Sequence, residues 1–157
     1  MIELEAIGEV EKRYELPRGE PSLGEAYALL SRRWQDGARD VDTALRLMFL
    51  AWYTNCEPVY LTGLPSHEPT CDMFDEVFQA MGGVDNVDPL FHFAVGYMAD
   101  AFPWACGAEE VWAKRAQECQ ARYESLGAPR FTPEDFAGRG AFGRYFAHVV
   151  RGRKRDG

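Results

Sequence analysis

Ten consecutive uncharged residues, Leu47 to Cys56 (LMFLAWYTNC), constrain the fold of this chain more than any other feature. Arg46 precedes them, and Glu57-Pro58 closes them off. A second stretch, Leu90 to Phe102 (LFHFAVGYMADAF), is apolar on nearly every side as well. A helix that crosses a bilayer needs about 20 such residues, so neither stretch is long enough to span. Each reads instead as a helix buried all round, and such a helix belongs in the middle of a bundle.

The flanking segments carry the pattern of amphipathic helices that would wrap these two. Ser22 and Glu25 have the spacing of a capping box ahead of Leu23, Ala26, Tyr27, Leu30 and Trp34, and Gly37 can end that helix. Asp40 or Asp42 is placed to cap the helix that holds Leu45–Asn55. From Ser66 or Thr70, one face runs through Met73, Phe74, Val77, Phe78 and Met81, with Asp72, Asp75, Glu76 and Gln79 opposite, until Gly82-Gly83. Asp88-Pro89 opens the next helix. Trp112, Ala116, Cys119 and Tyr123 form a seam between Ala108 and Leu126. Thr132-Pro133-Glu134-Asp135 is a capped turn, and Phe142, Tyr145, Phe146, Val149 and Val150 form a stripe on the last helix. The expectation is an all-α chain. It is a single domain over 1–157, a compact bundle of about six helices around two highly apolar central ones.

The two ends read differently. Residues 1–20 form an acidic arm in which Ile2, Leu4, Ala6, Gly8 and Val10 alternate with other residues, mostly glutamate. A period of two fits a strand, with VYLTG at 59–63 as a candidate partner, and a docked helix fits equally well. Residues 151–157 (RGRKRDG) read as a basic, disordered tail. Ala44, Met48, Ala51 and Pro58 match a tetratricopeptide second helix only loosely, the first-helix residues are missing, and no family is assigned.

The net charge of −8 is uneven. Residues 1–138 hold 24 acidic and 11 basic side chains, whereas 139–157 hold one acidic and six basic. A body this acidic disfavours nucleic acid as the main partner. The charged N-terminal segment has no apolar signal core, and the four cysteines form no CxxC pair, so a cytoplasmic location away from membranes and reduced thiols are expected.

Motifs that carry chemistry are few. GRGAFG lacks the Lys-Ser/Thr of a phosphate loop, and no GxSxG elbow is present. His67 and Cys71 stand four apart with carboxylates nearby, which makes them candidate metal ligands. Acids at a helix start are favoured by its dipole without any metal, so no metal or cofactor is expected. Asp88, His92, Gly96 and Asp100 form one stripe on the second apolar helix. His92 and Asp100 are thus candidate acid–base groups, but with no nucleophile or cofactor motif no catalytic site is assigned. The reading preferred on charge is a protein-interaction module for a basic protein partner, of the inhibitor or immunity-protein kind by analogy of size and charge. Its contact residues would be Glu3, Glu5, Glu9, Glu11, Asp72, Asp75 and Glu76. The alternative is a small enzyme or ligand-binding bundle. Its pocket would be lined by Trp52, Tyr53, Tyr97 and Trp104, with His92, Asp100 or Cys106 as polar groups.

Overall fold

The computed structural model describes residues 1–156. Among them are eight α-helices and no strand. In chain order these are α1 Leu4–Lys12, α2 Leu23–Gln35, α3 Val41–Tyr53, the single turn α4 Val59–Thr62, α5 His67–Ala80, α6 Pro89–Ala101, α7 Glu109–Leu126 and α8 Gly140–Asp156. Short 3₁₀ turns punctuate the connections. No helix among the described residues is long and apolar enough to cross a membrane.

The uncharged run forms α3, and it lies at the centre as its sequence demands. Ten of its thirteen residues are buried, and it packs against α2, α5, α6 and α8. Asp40 is its cap: the carboxylate accepts from the Thr43 N–H at 2.9 Å. The second apolar run forms α6, capped by Asp88 through the Leu90 N–H at 2.9 Å, with Pro89 in its first turn. Gly96 of α6 faces Cys119 and Gln120 of α7, where a Cβ would stand at ordinary contact distance, 3.4 Å. Trp52 ties the two central helices, its indole N–H donating to the Met98 carbonyl at 3.0 Å.

The structure decides one open expectation and corrects another. The N-terminal arm is a docked helix, neither strand nor loose arm, and VYLTG forms the α4 turn. Leu4, Ile7 and Glu11 are spaced three and four apart, so the same residues that alternate also make a helical face, which packs on α2 and α8. Ser22 does not form a capping box. Its backbone is already in a helical turn (φ −85°, ψ −9°), its hydroxyl caps nothing, and Glu25 reaches Arg13 instead. In the stretch read as a basic tail, α8 runs as far as Asp156; Gly157 lies outside the described residues.

Glu11 shows why α1 is held. It is 0% exposed and pairs with Arg46, itself 3% exposed, at 2.8 Å. Its second oxygen accepts from the Ala141 N–H at 3.1 Å and so caps α8 from 130 residues away. The pair fills the space beside Gly140, whose φ of +64° and missing Cβ are both needed: a Cβ would stand 2.4 Å from the Glu11 carboxylate.

Candidate functional site

The seven acids of the expected partner surface do not form one surface. Glu11 is removed from it outright, because it is buried in an ion pair and cannot reach a partner. Glu3, Glu5 and Glu9 are exposed on α1, and Glu9 pairs with Lys12 at 2.9 Å. Asp72 and Glu76 are exposed on α5, whereas Asp75 between them is bound to Arg115 at 2.7 Å. A cleft of about 580 Å³ lies between α1 and α8, and Arg46 and four glycines, Gly8, Gly138, Gly140 and Gly143, are among the residues that line it. Three of its four basic lining residues pair with acids of this chain: Lys12 with Glu9, Arg46 with Glu11, Arg144 with Glu15; the fourth is Arg151.

His92 and Asp100 share the lining of a pocket of about 250 Å³ but do not meet as an acid–base pair. The His92 Nε2 donates to the Asn86 carbonyl at 2.5 Å, and its Nδ1 is buried without a partner. Loss of solvent, the largest influence, pushes its pKa down, so the ring is held neutral. Cys106 lines a different pocket. Trp52 and Tyr53, expected to line a cavity, pack in a ring cluster with Phe49 and Tyr145.

His67 and Cys71 do come together, with Nε2 at 3.3 Å from Sγ. The His67 Nδ1 lies 2.9 Å from Asn55 Oδ1, and the ring packs against Trp104 at 5.9 Å. No set of three His, Cys, Asp or Glu side chains that could hold a metal exists among the described residues. Desolvation first, then the charge of Asp72, raises the Cys71 pKa, so it stays a thiol at neutral pH.

The contact between His67 and Trp104 belongs to a larger feature. The C-terminal ends of α3 and α6, the N-terminal ends of α5 and α7, and α4 meet at one end of the bundle. The Gly24–Gly63 approach seats α4 there, since a Cβ on Gly24 would lie 2.0 Å from the Gly63 carbonyl. This end carries Val59, Tyr60, Leu61, Phe102, Trp104 and Val111, six of the nine large apolar residues that the molecule exposes. Tyr60 is 77% exposed. The rings step outward from the core: Trp52 on Phe102 at 5.7 Å, Phe102 on Trp104 at 5.9 Å, Trp104 on His67.

The stretch of chain that carries these rings is charged with one sign. Residues 47–113 contain ten acidic side chains and neither lysine nor arginine, while all 17 basic residues lie outside that span among fifteen acids. Glu57, Glu68, Asp72, Asp100, Glu109 and Glu110 lie in this span, and all but the half-buried Glu57 are exposed. Helix dipoles account for Glu68, Glu109 and Glu110, which sit in first turns. They do not account for the absence of every Lys and Arg from the span, since most surfaces mix both signs. Comparison with protein-family models, with curated proteins and with solved structures finds no match.

Proposed function

We propose that this protein binds a basic protein partner through the end of the bundle built from α4 and the adjoining ends of α3, α5, α6 and α7. The observation that carries the reading is the coincidence, at that end, of six exposed large apolar side chains with a stretch of chain, residues 47–113, that holds ten acids and neither Lys nor Arg. Apolar groups gathered in one place mark an interaction site. The carboxylates choose the occupant. They repel nucleic acid phosphates and the anionic headgroups of a membrane, and they attract lysine and arginine. The division of labour is familiar from protein interfaces: buried rings supply affinity, and rim charges supply speed and selectivity.

This site replaces the α1 row of glutamates as the contact surface and keeps Asp72 and Glu76 at its edge. The test is cross-linking in cells that natively express the chain. A photoreactive phenylalanine analogue is placed at Tyr60 or Trp104, with Gln35 at the far end of α2 as the control. The same basic protein should be captured at Tyr60 and Trp104 and not at Gln35. Its yield should fall in high salt and with Glu68, Asp72 and Glu109 reversed to Lys. Capture that ignores both salt and reversal, or that is equal at Gln35, overturns the reading.

A further inference from the structure

We infer that the pocket between α5 and the start of α7 anchors one lysine or arginine of the partner, together with the backbone carbonyl that accompanies it. This rests on the protein-binding reading and specifies its contact. The pocket holds about 260 Å³ and is lined by Cys71, Asp72, Asp75, Gly107, Trp112 and Arg115, among others, two carboxylates against one guanidinium. It makes two separate chemical demands.

The first is for positive charge. Asp75 is already bound by Arg115, whose guanidinium also lies 4.6 Å over the Trp112 ring. The chain thus shows that this wall accepts a guanidinium, between a carboxylate and an aromatic face. Asp72 is the second carboxylate, exposed and without an ion-pair partner among the described residues.

The second demand is for a hydrogen-bond acceptor. Trp112 is 2% exposed, yet its indole N–H has no acceptor among the described residues. That nitrogen reaches the wall at Gly107, where a Cβ would stand only 2.6 Å from it. Next to it, Ala108 begins α7 without any side-chain cap. The donors of that first turn therefore lack a side-chain acceptor too. These donors open on the pocket, so a ligand that brings an acceptor takes the place of water on them without loss of hydrogen bonding. A bare cation satisfies the first demand and not the second. A basic residue on a peptide backbone satisfies both.

The test uses the ¹⁵N-labelled protein alone, with the Trp112 indole resonance assigned through Trp112→Phe. The probe is N-acetyl-arginine methylamide, compared with its neutral citrulline isostere and with guanidinium chloride. The arginine probe should shift the Trp112 resonance saturably. The other two should leave it in place at equal concentration, and Asp72→Asn should weaken the arginine probe about fivefold. An unmoved resonance, an equal shift from citrulline or guanidinium, or an Asp72→Asn response like the parent's overturns the anchor. The failure is separable: a partner captured at Tyr60 and Trp104 with salt sensitivity would keep the protein-binding reading and discard only this pocket.

Discussion

Replacing Glu11 by Gln tests the most consequential contact in the fold. The substitution keeps the volume and removes the charge. Arg46 then remains at 3% exposure with a neutral partner, and with the Leu4 carbonyl at 3.3 Å as its other acceptor. If the amide keeps its oxygen on Arg46, its nitrogen faces the Ala141 N–H, donor against donor, and the cap of α8 is lost. Breaking one side of a buried ion pair costs roughly 3–5 kcal/mol. Total stabilities of such domains run to about 5–15 kcal/mol, so the loss is a large share. In urea, with a slope near about 2 kcal/mol per molar, the unfolding midpoint should fall by about 2 M at unchanged slope. The double variant Glu11→Leu with Arg46→Met removes both charges and should recover most of that stability. A loss under about 1 kcal/mol for Glu11→Gln would refute the argument. So would a double variant no more stable than the single one.

Two further outcomes check other parts of the account. Leu50→Ala, at a fully buried position of α3, should cost roughly 2–5 kcal/mol in urea unfolding, and a cost under about 1 kcal/mol would displace α3 from the centre. His92 is held neutral with its pKa below the usual value, so the unfolded chain binds its proton first as the pH falls. The stability it contributes is complete above a pH of about 6.5, declines below that, and stops declining once the folded-state pKa is passed. His92→Gln should flatten that decline in melting curves between pH 7 and 5, and an identical decline in the variant would show that other groups cause it.

The two central helices and most helix limits were legible because their signals are local. Uncharged runs, Asp88-Pro89, and Gly82 and Gly127 at left-handed positions all act within a turn or two of chain. The α1 helix was ambiguous for a non-local reason. Its buried face includes Glu11, and the residue that makes this burial tolerable, Arg46, lies 35 positions away. The Ser22 box failed because spacing alone does not fix the backbone angle that a cap needs. At the candidate site, the acidic face of α5 was readable, but the capture of Asp75 by Arg115 across 40 residues was not. Trp52 and Trp104 are the same residue type, yet one is core and the other surface. One signal was present in the sequence and passed over: the absence of Lys and Arg from residues 47–113. It marks the proposed binding end more sharply than the overall charge does.

The central claim is that this end, and not α1 or its cleft with α8, meets the partner. Amide hydrogen exchange of the free chain against the captured complex measures this directly. Val59–Thr62 is a single turn with three exposed apolar residues, so its amides should exchange fast in the free protein. The account predicts that binding slows exchange in Val59–Thr62, in the 102–111 segment and in the first turns of α5, and leaves Leu4–Lys12 unchanged. Slowed exchange over α1 and the start of α8, with Val59–Thr62 as fast as before, would contradict it.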